Sequence, residues 1–203
     1  MPVCEEAHAK RRQILDGARQ VFSHESYERS TVDRIAARAR VSKATVYRHY
    51  GDKRSLFVAV VCDTCEEMSR DLECGWEEQG EDVEEALRVI GERVVRMSLS
   101  STVVALHRQA ITESERIPEI ARTVFERGTL AIQQAVAARL RRWAEAGALE
   151  IEDARSAAIA FLALCGGDLV IRARLGVLQP SPDGEVLSTI RRGTAIFLRA
   201  HRR

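Results

Sequence analysis

Proline and long apolar runs are both scarce in this chain, and each scarcity restricts the possible folds. The four prolines among 203 residues stand at predicted helix boundaries: Pro2, Pro118, Pro180 and Pro182. The longest apolar run, residues 157–167, falls well short of the ~20 residues that a membrane helix needs. Strand-like alternation and hairpin signals are also absent. The sequence therefore predicts an all-α protein with no membrane-spanning helix.

The spacing of the cysteines gives little support to a metal centre. Five cysteines occur, and Cys62 and Cys65 form a single C-x-x-C pair. A structural zinc site needs four ligands, and neither a second pair nor clustered histidines supply the other two. We expect these two residues, and Cys165 in the apolar run, to pack within helices. A redox role for the three stays open.

The chain shows neither a leader sequence nor the common catalytic motifs. Glu5 and Glu6 stand where a signal peptide carries basic and apolar residues, so we expect a soluble, cytoplasmic protein. Nucleophile and base side chains occur outside any nucleophile elbow, Gly-rich phosphate loop or metal-ligand spacing: Ser98, Ser100, Ser101, His107 and Cys165. We therefore expect no catalytic residue, no cofactor and no metal, and an enzyme is the least favoured class.

The net charge is close to zero, but the charges are unevenly distributed. The formal net charge is +1. Residues 1–54 hold 12 Lys and Arg against 7 Asp and Glu, whereas the remaining residues hold 19 against 23. A basic head joined to a mildly acidic body is typical of a DNA-binding module attached to a second domain. An ordinary solvated surface could give similar numbers, so charge alone does not decide.

The most informative segment is residues 34–50, RIAARARVSKATVYRHY. It predicts two short helices around a tight turn. Ser42 stands at an N-cap position, where its hydroxyl can accept a backbone N–H, and Val41 and Val46 have the spacing of a hydrophobic staple. Burial of Val46 turns the rest of the second helix outward: Lys43, Ala44, Thr45, Tyr47 and Arg48. Such a surface is poor core material but suits the major groove of DNA.

The flanking residues complete a three-helix module. Upstream, an apolar stripe predicts a helix of about four turns: Ile14, Leu15, Ala18, Val21 and Phe22. Ser30 precedes Asp33 by three residues, which is the spacing of a capping box. Downstream, Gly51 can take a left-handed conformation and Asp52 can cap the next helix. Lys53 then lies in the first turn of that helix, where we expect it to face a phosphate.

With these motifs in register, the sequence resembles the TetR family of bacterial transcriptional regulators. The matching positions lie within about a quarter of the chain: Arg12, Ile14, Leu15, Ala18, Phe22, Tyr27, Thr31, Val32, Ile35, Ala36, Ala39, Val41, Ser42, Lys43, Thr45, Val46, Tyr47, His49, Tyr50, Lys53, Leu56 and Phe57. Two positions depart from the family pattern, because Ser26 and Arg40 stand where glycine is usual. If the turn requires a positive φ, Arg40 costs ~1 kcal/mol or more in strain.

The resemblance implies a helix-turn-helix DNA-binding domain over residues 1–54, ordered from about residue 9, and a roughly six-helix ligand-binding and dimerisation domain over residues 55–203. It implies a DNA-binding surface made by these residues: Thr31, Arg40, Lys43, Ala44, Thr45, Tyr47, Arg48, His49 and Lys53. It also implies a homodimer that presents two such surfaces to a double-stranded DNA operator.

Helical patterns continue through the second domain. Apolar stripes, capping residues and terminal glycines predict these segments after the helix that starts near Lys53: 83–97, 102–113, 118–147, 154–175 and 181–199. The region from Ile111 to Asp168 resembles, more weakly, one branch of the family's C-terminal domains. In the family such a domain dimerises through its last two helices and encloses a pocket for a small effector.

The candidates for these two roles are mostly large apolar side chains. Those for the dimer interface are Phe161, Leu164, Leu169, Ile190 and Phe197. Those for the effector pocket are Met68, Leu72, Met97, His107, Phe125, Trp143 and Phe161. Each could instead be an ordinary core residue, and the composition does not name the effector.

The sequence thus favours a ligand-responsive homodimeric repressor that a small molecule releases from a near-palindromic operator. A transcriptional activator of the same fold stays open, because the sign of regulation depends on where the operator lies relative to a promoter. A sequence-tolerant architectural DNA-binding protein is a further alternative. It should carry a longer basic surface and no sizeable acidic body.

Overall fold

The computed structural model describes residues 2–73, 82–179 and 183–202, with the side chains of residues 2–7 and 71–73 omitted. Within these ranges the chain is helical and has no strand, which confirms the predicted all-α fold. The elements in chain order are α1 (Pro2–His24), α2 (Val32–Arg38), α3 (Lys43–Tyr50), α4 (Lys53–Glu73), α5 (Val83–Leu99), α6 (Ser101–Glu113), α7 (Pro118–Thr123), a π-helical segment (Val124–Leu130), α8 (Ala131–Glu145), α9 (Ala154–Leu175) and α10 (Asp183–His201).

The chain forms two compact units, and the DNA-binding module lies in the first. Unit 1 comprises Met1–Glu66 and Ser101–Arg127, and unit 2 comprises Glu67–Ser100 and Gly128–Arg203. The N-terminal helices therefore share a unit with α6 and α7. The unit boundary falls inside α4 and again inside the π-helical segment.

Unit 1 has an aromatic centre that joins α1 to α4. Phe22 meets Phe57 edge to face with ring centroids 4.8 Å apart, and Tyr27 lies 5.1 Å from Phe57. Such pairs add to the free energy gained from burial alone. Helices α6 and α7 contribute to the same apolar cluster through Leu106, Ala110, Ile117 and Ile120.

A polar contact also holds α6 to α1. The side-chain amide of Gln109 donates to the carbonyl oxygens of Phe22 and Glu25, the latter at 3.1 Å. These carbonyls lie at the C-terminal end of α1, where the helix itself supplies no partner for its last carbonyl groups. Gln109 therefore satisfies the end of α1 from a helix more than 80 residues away.

Unit 2 is built around α9 and α10, which pack closely. Phe161 and Phe197 meet edge to face at 5.3 Å. At Gly193, a built Cβ atom would lie 2.8 Å from the carbonyl oxygen of Leu164, so any side chain there would force the two backbones apart. Helices α5 and α8 pack against α9 and complete the core.

After α4, the predicted helix ends within the described residues lie within about two residues of the observed ones, but one predicted helix is interrupted. Helix α9 spans Ala154–Leu175 and is closed by Gly176 at φ +76°, as predicted. The expected uninterrupted helix over 118–147 is wrong, because residues Val124–Leu130 form a π-helical segment between α7 and α8. A π-helical turn accommodates one extra residue, which a simple 3.6-residue periodicity does not detect. The predicted helix start at residues 181–182 lies outside the described residues.

One described helix, α9, is long and apolar enough to cross a membrane by length and composition alone. The core helix of a soluble protein passes the same test, so this one helix is weak evidence. The Phe161, Cys165 and Leu169 side chains of α9 are buried in unit 2, which accounts for part of its apolar composition.

Candidate DNA-binding interface

The turn between α2 and α3 has the predicted capping interactions. The Ser42 hydroxyl accepts from the Thr45 backbone N–H at 3.1 Å. Val46 is buried and Val41 packs against the same cluster, as a hydrophobic staple requires. These contacts fix the inward face of α3 and confirm the local prediction.

Arg40 occupies the strained backbone position that the sequence suggested. Its φ is +52°, and no other non-glycine residue in the described part of the chain has a positive φ. Glycine reaches this region without the clash between Cβ and the backbone, so an arginine here carries strain. The Arg40 side chain is exposed at the turn that precedes α3.

The cap of α2 differs from the prediction. Thr31, not Ser30, is the N-cap residue, and its hydroxyl accepts from the Arg34 N–H at 3.3 Å. Ser30 is buried and donates its hydroxyl to the Tyr27 carbonyl oxygen at 2.6 Å. The helix starts one residue later than a Ser30 cap allows. Thr31 remains exposed, at an end of α2 whose N–H groups favour an anion.

The outward face of α3 carries most of the predicted DNA-binding side chains. Lys43, Ala44 and Arg48 are exposed, and Tyr47 is 44% exposed. Thr45 and His49 are half-buried, and the Thr45 hydroxyl lies 2.8 Å from that of Ser42. A short helix with one buried face and this polar outer face has the form of a recognition helix.

Lys43 is paired with an acidic residue, Asp33, that the sequence does not predict in this surface. The Lys43 Nζ donates to the Asp33 Oδ2 at 2.8 Å. The hydrogen bond to Asp33, followed by its charge, raises the pKa of Lys43. The sequence pattern places Asp33 only in a capping box. Its ten-residue separation from Lys43 corresponds to no local motif, so only the tertiary turn brings the two together.

Lys53, which the sequence predicts to face a phosphate, forms hydrogen bonds within the protein. Its Nζ donates to the carbonyl oxygens of Tyr27 and Ser30 at 2.7 and 3.1 Å. Burial lowers the pKa of Lys53. Two of its three ammonium donors are thereby used within unit 1, so Lys53 has a structural role that the sequence did not suggest.

The end of α3 and the start of α4 carry the predicted residues, Gly51 with a positive φ and Asp52 as a cap. Gly51 has φ +77°. Asp52 accepts from the Ser55 backbone N–H at 2.7 Å, and this hydrogen bond lowers the pKa of the Asp52 carboxyl. Tyr50, at the end of α3, donates its hydroxyl to the Arg11 carbonyl oxygen at 3.0 Å. Burial raises the pKa of Tyr50 to about 12, so its phenol stays protonated and α3 is tied to α1.

The predicted effector-pocket residues divide between the two units. Met68, Trp143 and Phe161 are buried in unit 2, where Met97 is half-buried. In unit 1, His107 is half-buried and its Nδ1 lies 3.2 Å from the Val103 carbonyl oxygen, whereas Phe125 is 54% exposed on the π-helical segment. The Leu72 side chain lies outside the described residues.

The predicted dimer-interface residues are mostly core residues of unit 2. Phe161, Leu169, Ile190 and Phe197 are each at most 2% exposed within the single chain, so they offer no surface to a partner. Leu164 alone among the predicted set reaches the surface. These four residues lie on the buried faces of α9 and α10 within the single chain, as the contact between Phe161 and Phe197 shows. The exposed apolar side chains of α9 are Ile159, Leu164, Ile171 and Leu175.

The C-x-x-C cysteines are packing residues. Cys62 is half-buried and Cys65 is buried. Burial raises the pKa of Cys65 to about 11, and that of the buried Cys165 to about 12. A raised pKa suppresses the thiolate, which is the nucleophile and metal ligand. In the described part of the chain, no group of three or more His, Cys, Asp or Glu residues could hold a metal ion.

Sequence relatives match the DNA-binding region. The HTH-type transcriptional repressor Rv1474c of Mycobacterium tuberculosis is 39% identical over 71 residues, which is 34% of this chain and 38% of that protein. The HTH-type transcriptional repressor AcnR of Corynebacterium glutamicum is 36% identical over 59 residues, or 29% of this chain and 31% of that protein. The chain thus matches only about a third of the length of these curated relatives.

Solved structures match the whole fold. A crystal structure from Mesorhizobium loti, assigned to the TetR family of transcriptional regulators, has a TM-score of 0.92 at 22% identity, covering 97% of this chain and 98% of that one. The Flavonoid-responsive Regulator FrrA has a TM-score of 0.77 at 30% identity, covering 96% and 98% of the two chains.

Family profiles match both parts of the sequence. Residues 14–60 match the family described as bacterial regulatory proteins, tetR family. Residues 85–203, more than half of the chain, match the C-terminal domain of AefR-like transcriptional repressors. Together with the recognition-helix geometry, these matches identify the chain as a member of the TetR family of bacterial transcriptional regulators.

Proposed function

We propose that this protein is a cytoplasmic, ligand-responsive repressor that binds a double-stranded DNA operator as a homodimer. The observation that carries this proposal is the outward face of α3, where Lys43, Tyr47 and Arg48 are exposed while Val46 anchors the helix inward. Repression is favoured because Rv1474c and AcnR are named as repressors.

The contacts would divide between base edges and phosphates. Lys43 and Thr45, in the first turn of α3, would face base edges in the major groove. Arg40, Arg48 and the third ammonium donor of Lys53 would bind phosphates, which set affinity without sequence preference. The remaining predicted residues, Thr31, Ala44, Tyr47 and His49, would line the same surface.

The dimer would form through the outer face of α9. Three exposed large apolar side chains of this helix, Leu164, Ile171 and Leu175, lie on one side of it by their spacing and support an interface there, because an exposed apolar stripe favours a protein partner. A two-fold dimer would present two α3 helices to successive major grooves about 34–36 Å apart, on a near-palindromic operator.

The effector would be a small molecule bound in the domain over residues 55–203. Two similar proteins support this class of ligand: FrrA is described as flavonoid-responsive, and a regulator from Saccharomonospora viridis, 20% identical, was solved with choline. If effector binding shifts α6, Gln109 would transmit the shift to the end of α1, since its amide bonds α1 carbonyls directly. Operator and effector would then weaken each other's binding by linkage.

One relative favours activation as the second candidate. The HTH-type transcriptional activator FasR of Mycolicibacterium smegmatis is 40% identical over 52 residues, or 26% of this chain. An activator would use the same interface on DNA. Transcription in vitro from a promoter that carries the operator distinguishes the two functions, because a repressor lowers the transcript yield and an activator raises it.

Selection of duplexes from a random library tests DNA binding directly. The full-length protein should enrich one near-palindromic sequence, and Tyr47→Ala should lose most of its affinity for it. Because Tyr47 is exposed, the variant should keep the wild-type melting temperature. Gln134→Ala, an exposed change on α8, is the matched control and should bind normally. Enrichment of no sequence, or full operator affinity in Tyr47→Ala, would contradict the proposal.

A further inference from the structure

The helix-turn-helix contains one acidic residue, and it is bonded to the first residue of α3. Among residues 31–50, Asp33 is the single Asp or Glu, against five Arg and Lys. The Lys43 Nζ lies 2.8 Å from the Asp33 Oδ2, and their side chains are 49% and 66% exposed. The ion pair therefore lies on the surface of the module, beside the recognition helix.

A carboxylate at this place needs a reason, because the surface must approach a polyanion. An unpaired Asp33 would be repelled by DNA phosphates, and the bond to Lys43 offsets that repulsion. The same bond removes one cation from those that can bind phosphate at any sequence, which is the main source of non-specific affinity. Capping does not explain Asp33, since the N-cap of α2 is Thr31.

The bond also restricts where the Lys43 ammonium can lie. A lysine side chain is flexible and binds phosphate as a mobile point charge. Its ammonium has three N–H donors, so it can keep the bond to Asp33 and still donate to a DNA base. In the major groove, the O6 and N7 atoms of guanine are the acceptors that lysine binds best.

We propose that Asp33 is a specificity-determining residue, which holds the Lys43 ammonium for a guanine edge and withholds its charge from the phosphates. The inference rests on the proposed DNA-binding function and adds a residue to it. Asp33 acts here through Lys43, so its removal should lower discrimination between sequences more than it lowers affinity for DNA as a whole.

Fluorescence anisotropy of the full-length protein on two duplexes tests this role. One duplex carries the sequence selected by the wild-type protein, and the other is the same sequence scrambled; both are titrated over a range of salt concentrations. In Asp33→Ala, binding to the scrambled duplex should tighten about three- to tenfold, with a salt slope steeper by ~0.9 for one added phosphate contact. The ratio of the two affinities should fall about tenfold.

Two further variants separate this role from an effect on α2. Glu66→Gln removes one negative charge from the same unit, at a residue whose ion pair is with Arg127, and should leave the ratio unchanged. Asp33→Asn is nearly isosteric, keeps an acceptor for Lys43 and lacks the charge. It should tighten scrambled binding even if Asp33→Ala lowers the melting temperature.

A double-mutant cycle with Lys43→Gln gives the decisive comparison. In that background the ammonium is already absent, so adding Asp33→Ala should change the ratio by less than about twofold. A full loss of discrimination in that background would overturn the proposal, because Asp33 would then act without Lys43, for example through the α2 dipole. An unchanged ratio in Asp33→Ala alone would overturn it as well.

Titration of the wild-type protein separates a failure of the proposed DNA-binding function from a failure of the proposed role of Asp33. If the wild-type protein binds no duplex, the proposed function fails. If it prefers its selected duplex and Asp33→Ala keeps the same preference, the DNA-binding function stands and the role of Asp33 alone is refuted.

Discussion

The ammonium of Lys53 lies over the ring of Tyr27, with its Nζ 4.2 Å from the ring centroid. The same Nζ donates to the Tyr27 carbonyl oxygen at 2.7 Å. One side chain at the start of α4 thus holds both the ring and the backbone of the connection between α1 and α2. Cation–π contacts of this kind contribute ~0.5–2 kcal/mol.

Lys53→Met should therefore reduce both stability and DNA affinity. The change keeps the apolar stem and removes the ammonium, which costs about 1.5–3 kcal/mol for each of two charged hydrogen bonds to backbone carbonyls. Operator binding should also lose ~0.9 in salt slope if the third donor contacts a phosphate. Thermal melting and anisotropy across salt measure the two effects. A lower melting temperature with an unchanged slope would make Lys53 purely structural.

Arg40→Gly should stabilise the protein while weakening its binding to DNA. Glycine removes the strain at φ +52°, worth ~1–2 kcal/mol, partly offset by ~0.5–1 kcal/mol of added chain entropy in the unfolded state. The loss of a cation should lower DNA affinity. Arg40→Ala is the matched control, because it removes the same charge and keeps the strain. Chemical denaturation measures the stabilities of the two variants. If Arg40→Gly is no more stable than Arg40→Ala, the backbone at residue 40 carries no strain that glycine relieves.

A double substitution on α9 should give folded monomers. Leu164→Glu with Ile171→Glu places charges on the side of α9 that holds Leu164, Ile171 and Leu175, so dimers should dissociate while the core of unit 2 stays intact. Monomers should bind the operator much more weakly, because two half-sites no longer act together. Gln134→Glu adds charge at an exposed site of α8 and should stay dimeric. Sedimentation velocity measures the oligomeric state of each variant. A stable dimer in the double variant would exclude this face of α9 as the dimer interface.

Gly193→Ala should be strongly destabilising, whereas Gly184→Ala on the same helix should not. A Cβ at Gly193 would lie 2.8 Å from the Leu164 carbonyl oxygen, but one at Gly184 would have nothing within 4 Å. Overpacking of this kind costs ~1–3 kcal/mol. Urea denaturation of the two variants should separate them by at least about 1 kcal/mol. Equal stabilities would show that α9 and α10 separate easily at this point.

The protein should lose stability as the pH rises from 10 towards 12, in part through Tyr50. Burial raises the pKa of Tyr50 from 10.0 to about 12, so the folded state holds this proton more tightly than the unfolded chain. The contribution is complete below pH 10 and is lost as the pH passes the folded pKa. Ultraviolet titration of tyrosinate should show a late step that Tyr50→Phe removes. If Tyr50→Phe removes a titration step near pH 10 and leaves the late step in place, the burial of this phenol is contradicted.

Local signals made the backbone geometry around α3 predictable from the sequence. The Ser42 cap, the Val41–Val46 staple and the positive φ at Arg40 each depend on residues within a few positions of one another. The Asp33–Lys43 bond and the carbonyl contacts of Lys53 span 10 to 26 residues. They depend on how the helices pack, which residue spacing does not contain.

Longer-range features were predicted less well for the same reason. Hydrophobicity identified Phe161 and Phe197 as residues that must be covered, but it did not tell whether the same chain or a partner covers them. The π-helical segment was missed because its sequence, VFERGTL, contains no proline and keeps a helical composition. A helical periodicity fixes which residues are apolar neighbours only while every turn contains the same number of residues.

The shared core of unit 1 has a consequence for the construction of hybrid regulators. Ile117 and Ile120 belong to the same apolar cluster as Ile14, Phe22 and Phe57, although about 60 residues separate Phe57 from Ile117. A fusion that takes residues 1–54 alone would leave behind the α4, α6 and α7 side chains that cover α1. To move the operator preference of this protein onto another scaffold, the graft would need residues 55–66 and 101–127 as well, or host helices that reproduce their contacts with α1.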